Sequence, residues 1–322
     1  MINKIGILTS GGDAPGMNAA IRAVVRTAIY NKIEVVGIQR GYEGMLEKSF
    51  IPMDLSSVGD IIQRGGTMLQ TARSKRFMTL EGQQLAAENL REEGIEGVVV
   101  CGGDGSFCGA MKLSEQGINV IGIPCTIDND MAYTDNTIGF DTALNTVLSA
   151  IGNIRDTASA HNRVSIIEVM GRHCGDIAIY SGIACGADSI IIPEVEMDIN
   201  AICDKIKAGV ARGKTHTIIL KAEGVEIPVN ELAAVIHYNT GQEVRYAVLA
   251  YIQRGGSPSA RDRLLAAEMG NKAVRLLLEG ETNLAVGESG GQITATSLEE
   301  AVRPAERGVD LEKLALINTL SI

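Results

Sequence analysis

The chain has 322 residues, 45% hydrophobic and 21% charged, a soluble globular balance that excludes disorder and is long enough for two domains. Lys plus Arg number 29 against 39 Asp plus Glu, and a net charge of −10 argues against a nucleic-acid-binding face. The 37 glycines have no period of three, which excludes collagen, and no apolar run approaches a membrane span.

Short β-branched runs alternate with helix-length segments. Strands are expected at Ile5–Leu8, Val35–Ile38, Val98–Cys101, Val120–Ile123, Val164–Val169, Ser189–Ile192, Thr217–Leu220 and Ala247–Ile252. Helical patterns lie between and after them, at Asn18–Tyr30, Glu81–Arg91, Ser106–Glu115, Thr142–Thr157, Asn200–Ala211 and Ala260–Leu278. This alternation predicts parallel sheets covered by helices. A closed (β/α)8 barrel would also accommodate it, but the glycine loops suit open sheets better. The first residues enter a strand directly, so no signal peptide is expected. The six cysteines form no C-x-x-C pair and read as free thiols of a cytoplasmic protein.

Ligands of open α/β sheets bind at the carboxyl ends of strands. Three loops there carry chemistry. Thr9–Asn18 contains Gly11, Gly12 and Gly16 before a helix, an anion site of bare amides. Met17 stands where a P-loop needs Lys, and an ordinary βα turn is the plain alternative. Gly102-Gly103-Asp104-Gly105-Ser106 offers backbone to phosphates and a carboxylate to Mg²⁺; similar signatures mark NAD kinases and lipid kinases. Thr126-Ile127-Asp128-Asn129-Asp130 places two carboxylates at a strand end, for base and metal work or simply as a solvated acidic turn. Gly287–Gly291 matches G-x-S-x-G, but Gln292–Ala295 reads as a strand and no His follows, so a hydrolase is rejected. Gln63-Arg64-Gly65-Gly66-Thr67 echoes Gln253-Arg254-Gly255-Gly256-Ser257.

Together with Met170-Gly171-Arg172-His173, these motifs resemble the bacterial 6-phosphofructokinase family in order and spacing over the whole chain. The resemblance implies two doubly wound, mostly parallel α/β domains with the chain crossing between them. The ATP-binding domain would be 1–139 plus 257–303, and the fructose-6-phosphate-binding domain 140–256 plus 304–322. It implies a homotetramer in which MgATP phosphorylates the 1-hydroxyl of fructose 6-phosphate. By the motif match Asp128 is the general base, Asp104 the Mg²⁺ residue with Asp130 supporting, and Arg172 and Thr126 steady the transferring phosphoryl group. Gly11, Gly12, Arg73 and Gly103 to Ser106, Gly105 included, match ATP contacts. Met170, Gly171 and Glu223 match sugar contacts. Arg163, Arg245 and Arg254 match the 6-phosphate clamp, the first two supplied by a neighbouring subunit. Arg22, Arg26, Arg155, Asp188, Arg212 and Lys214 match an ADP or phosphoenolpyruvate effector site.

The pattern also departs from the family. Cys125 stands for the usual Gly, or for the Lys of pyrophosphate-dependent enzymes. Tyr251 replaces a His of the 6-phosphate site. Leu55 and Thr215 replace an effector-site Arg and Lys, and Asp188 replaces a Glu. A pyrophosphate-dependent or other sugar-phosphate kinase, or a non-catalytic sensor, are the alternatives.

Overall fold

The computed structural model describes residues 2–303 and 310–321. The chain forms two units. The first runs from the N-terminus through Ile127, takes in Met131–Thr142, and resumes at Arg254. The second holds Asp128–Asp130, Ala143–Gln253 and the C-terminal helix. The expected crossing at residue 304 lies outside the described residues.

The first unit is built on a seven-stranded sheet. In chain order its early elements are β1 (Lys4–Thr9), α1 (Met17–Tyr30), β2 (Glu34–Ile38), α2 (Gly41–Leu46), β3 (Phe50–Met53), α3 (Leu80–Glu92), β4 (Gly97–Gly102), α4 (Asp104–Glu115) and β5 (Asn119–Pro124). The helix α5 (Phe140–His161) follows. The second unit contributes β6 (Val164–Val169), α6 (Asp176–Cys185), β7 (Ser189–Ile191), α7 (Ile199–Ala211), β8 (Thr217–Ala222), α8 (Val229–Thr240) and β9 (Val244–Val248). The first resumes with α9 (Ala260–Leu278), β10 (Leu284–Ser289), β11 (Gln292–Ser297) and α10 (Leu298–Ala301), and α11 (Leu311–Leu320) ends the described chain.

Strand order in the first sheet is β11-β10-β5-β4-β1-β2-β3. Its five inner strands are parallel, and β3 and β11 run antiparallel at the edges. The inner strands are apolar through most of their length, as a sheet covered on both faces requires, with polar residues at their ends; every residue of β4 is buried. Strand order reverses between β1 and β4, and ligand loops belong at the carboxyl ends of that pair. The second sheet, β7-β8-β6-β9, is parallel throughout. Ile166, Ile191 and Ile219 pack there with Ile202, Ile206, Leu232 and Ile236 of α7 and α8. Two open sheets replace the barrel alternative.

One expected strand is displaced. Of the Ala247–Ile252 run only Ala247 and Val248 are in a strand: β9 spans Val244–Val248, and Ala250–Arg254 forms a 3₁₀ turn. Ala250 takes a positive φ of 44°, which breaks the extended chain. The Gly287–Gly291 segment ends β10 and turns at Gly290 and Gly291 into the antiparallel β11, with no helix directly after it.

A buried carboxylate on α9 fixes the start of α5. Asp262 accepts the backbone N–H groups of Gly139 and Thr142, each at 2.9 Å, and the Thr142 hydroxyl at 2.5 Å. Burial pushes its carboxyl above the usual range while these donors pull it back. Asp262→Ala leaves the donors without an acceptor and is expected to cost at least ~2 kcal/mol in urea unfolding. A loss below ~0.5 kcal/mol would contradict that role.

Candidate active site

The first unit gathers its glycine loops at the carboxyl ends of β1, β4 and β5. Ser10 N–H donates to Cys101 O at 2.9 Å, and Cys125 N–H donates to Gly102 O at 3.0 Å. A Cβ placed on Gly11 would lie 3.3 Å from the Ser106 hydroxyl, so the first two loops are in contact. Ser106 and Phe107 N–H groups turn back to Gly103 O, which starts α4 with Asp104 as its first residue. Asp104 and Gly105 are exposed, and a Cβ on Gly105 would meet nothing within 4 Å. This surface offers bare backbone, a helix N-terminus and the exposed Asp104 carboxylate, and it suits a polyphosphate. Thr126 is buried here, its carbonyl held by the Thr137 hydroxyl at 2.6 Å.

Arg73 is exposed in the loop after Gln70, whose carbonyl accepts the Thr9 hydroxyl at 2.9 Å. Arg254 is placed on the same unit. Its Nη1 donates to Asp13 O at 3.1 Å, and its guanidinium covers Gly12. The two echoing turns touch: the Ser257 hydroxyl donates to Gln63 O at 2.7 Å, and a Cβ on Gly65 would collide with Gly256 O. Gly66 and Gly256, equivalent in the echo, both take positive φ, 65° and 96°.

In the second unit, Met170, Gly171 and Arg172 follow β6, and Glu223 follows β8 at the same sheet edge. Glu223 Oε1 accepts the Arg172 N–H at 2.9 Å, and Glu223 N–H donates to Val169 O at 2.8 Å. Gly171 takes φ 132° in a turn so tight that a Cβ would strike Cys174 O. Met170 N–H donates to Gln253 Oε1 at 3.1 Å, tying the turn after β9 to this edge. Tyr251 in that turn is exposed. Asp128 is buried, and neighbouring Asn129 donates to Asp176 Oδ2 at 2.9 Å. Burial and then the Asp176 carboxylate push the Cys174 thiol up to about 12, with Asp130 adding to the shift, so this thiol stays protonated at neutral pH.

Residues 4–277 match the phosphofructokinase family model. The chain is 56% identical over 321 residues to an ATP-dependent 6-phosphofructokinase of Alkaliphilus metalliredigens, covering all of both chains. It is 54% identical over 320 residues to the enzyme of that name from Clostridium botulinum, covering 99% of this chain and all of the relative. The chain belongs to the phosphofructokinase family. Among solved structures, the phosphofructokinase of Saccharomyces cerevisiae superposes with a TM-score of 0.88 at 35% identity over 99% of this chain. This chain spans 48% of that longer yeast chain. A pyrophosphate-dependent phosphofructokinase of Marinobacter aquaeolei shares the fold, with a TM-score of 0.83, 24% identity, and 99% and 91% of the two chains covered.

Two of the expected clamp residues lie elsewhere in the second unit. Arg163 precedes β6, and Arg245 pairs in register with Ser165 near the start of β9. Both guanidinium groups reach Glu243 Oε1, at 3.0 Å from Arg163 and 2.7 Å from Arg245. They occupy the amino edge of the sheet that carries Met170, Arg172 and Glu223 on its carboxyl edge.

The expected effector residues divide by unit. Arg22 and Arg26 lie on α1, half-buried and exposed. In the second unit, Lys214 Nζ donates to the buried Asp188 carboxylate, whose other oxygen accepts Ile218 N–H at 2.9 Å. Arg155 donates to Cys185 O, and Arg212 lines a small cavity with Asp188, Lys205 and Lys214. Sequence reasoning passed over His216, which lies among Arg155, Lys214 and Asp188 and is held below the usual range by burial and by the two cations. Its place beside Lys214 and Thr215 was the available signal.

Proposed function

We propose that this chain transfers the γ-phosphoryl group of ATP to O1 of fructose 6-phosphate, giving fructose 1,6-bisphosphate and ADP in glycolysis. One observation carries the reading: the two glycine loops meet at the switch point of the first sheet, with open space beside Gly105. That space accommodates the α-phosphate and nucleoside of ATP, which an Asp at this position would obstruct and repel. Cys125 is buried, small and neutral, and brings no positive charge of the kind a pyrophosphate site uses.

Gly11, Gly12, Arg73 and Gly103 to Ser106 hold the donor phosphates. Asp104 fits Mg²⁺, a hard ion that takes few carboxylates and completes its shell with water and phosphate oxygens. When bound, the ion neutralises phosphate charge; Asp130 is assigned a supporting role. Met170, Gly171 and Glu223 bind the sugar. Asp128 takes the proton of the 1-hydroxyl as O1 attacks phosphorus and the bond to the ADP oxygen breaks. Thr126 and Arg172 hold the charge on the transferring group, and positioning with such electrostatics supplies most of the rate in phosphoryl transfer.

Arg163, Arg245 and Arg254 grip the 6-phosphate, with Tyr251 as a neutral hydrogen-bond donor. The spacing within β6 favours a second copy as the source of the first two. Arg163 and Met170 are seven residues apart along an extended strand, roughly 23 Å, beyond any side chain's reach. The edge strand β9 also exposes Tyr246 and Val248, with Tyr251 and Ile252 just beyond, an apolar edge suited to a partner in a homotetramer. No described helix is long and apolar enough to cross a membrane. The six free cysteines suit a reducing cytoplasm.

An assay coupled to ADP formation tests the reaction. Turnover is expected with ATP, and faster turnover with pyrophosphate would overturn the donor. Asp128→Ser is expected to lower kcat by roughly 10²–10⁴-fold with little change in KM. A drop below about tenfold would assign the base elsewhere.

Effector control should be shallow. Leu55 and Thr215 bring no charge, and Asp188 already holds Lys214 and Ile218. Saturating phosphoenolpyruvate is expected to shift half-saturation by fructose 6-phosphate less than about fivefold, the lower end of ordinary coupling. A larger shift would show that the switch survives these substitutions.

A further inference from the structure

Lys221 is 1% exposed and is the only buried lysine or arginine among the described residues. It is the only charged residue of β8, a fully buried strand whose other five residues are Thr217, Ile218, Ile219, Leu220 and Ala222. A buried ammonium needs a counter-charge and hydrogen-bond acceptors. Lys221 Nζ has both: Glu168 Oε2 at 2.9 Å and Ala222 O at 3.3 Å. The donor, sugar and effector contacts proposed above use neither Lys221 nor Glu168.

The pair has a defined place in the sheet. Glu168 of β6 and Lys221 of β8 are direct cross-strand partners, so they project from the same face. One step inward on that face are Ile166 and Ile219, which belong to the core under α7 and α8. Outward, the next residues of the same parity are Met170 and Glu223. The ion pair is therefore the last cross-strand pair on that face before the strands enter the turns that carry Met170, Gly171, Arg172 and Glu223, and only Val169 and Ala222, on the opposite face, pair beyond it. Glu168 also accepts Leu249 N–H through its carbonyl, at 3.0 Å, bringing the chain after β9 into the same assembly.

We propose that Lys221, acting through Glu168, is a positioning residue for the sugar-phosphate end of the reaction. Its ammonium cancels the Glu168 charge beneath the turns and fixes the spacing of the Met170–Arg172 turn from Glu223. Without it, Glu168 is left uncompensated two positions from Glu223, and repulsion between the two carboxylates opens that edge. The donor loops belong to the first sheet and do not depend on this pair. The identity of the sugar rests on the function proposed above; the positioning does not.

The test is Lys221→Met in the full-length chain. The KM for fructose 6-phosphate is expected to rise ~10–100-fold, the scale of a displacement near 1 Å, while the KM for ATP stays within about twofold. An unchanged KM for fructose 6-phosphate, or a parallel rise for both substrates, would overturn the proposal. If that variant does not fold, Lys221→Arg replaces it, keeping the charge but altering its reach. The same selective rise is expected, of about threefold or more, and no change would overturn the proposal. Amide hydrogen exchange across residues 169–174 supplies a readout independent of turnover. It should accelerate in the variant, and unchanged protection would overturn the positioning role. A wild-type chain inert toward fructose 6-phosphate would remove the functional reading alone, because the exchange experiment would still decide the role of Lys221.

Discussion

A parallel strand separates whatever stands at its two ends, and much of this protein's proposed chemistry follows from that constraint. β6 is extended and largely buried, with Arg163 before it and Met170 after it. The carboxyl edge collects Met170, Gly171, Arg172 and Glu223, while the amino edge collects Arg163 and Arg245 around Glu243. One chain cannot close these two sets around one sugar phosphate. The edge strand β9 carries Arg245 together with exposed Tyr246 and Val248, so the charge that a neighbour would use lies beside an apolar surface a neighbour could cover.

The first sheet uses the opposite strategy. Its strand order reverses between β1 and β4, so consecutive segments of the same chain bring their loops together there. Ser10, Gly11, Gly102 and Ser106 lie close together through bare backbone and the short Ser106 side chain rather than through long side chains. That leaves the surface at Gly105 open beside the exposed Asp104 carboxylate. The Arg64–Gly66 and Arg254–Gly256 turns press together, and Arg254 lies over Gly12.

The inner strands were legible because buried parallel strands are continuous β-branched runs, as Val98-Val99-Val100 and Val120-Ile121 are. Amphipathic helices such as α1, α3 and α9 announced themselves by period. What was missed had mixed or absent patterning. Pro52 disguised β3, and α6 is apolar through most of its length and so has no stripe. The last strand was misplaced because Leu249, Tyr251 and Ile252 continue the apolar run past Val248 into the 3₁₀ turn. Lys221 hid the end of β8: a charge after Leu220 reads as a boundary, yet the strand continues to Ala222 around a buried ion pair. The glycine and acid motifs of the site were visible one by one in the sequence. Which of them share a sheet edge depends on strand order, which no local pattern encodes.

Mixing two disabled variants tests the central claim most directly. An Arg163→Ala/Arg245→Ala chain keeps its carboxyl-edge residues, and an Arg172→Ala chain keeps its amino-edge arginines. Each should be nearly inactive alone. Unfolded together and refolded as a mixture, they should regain a substantial part of wild-type turnover, since some sites then take every intact residue from one chain or the other. No gain over the separately refolded variants would contradict a site completed by a second copy.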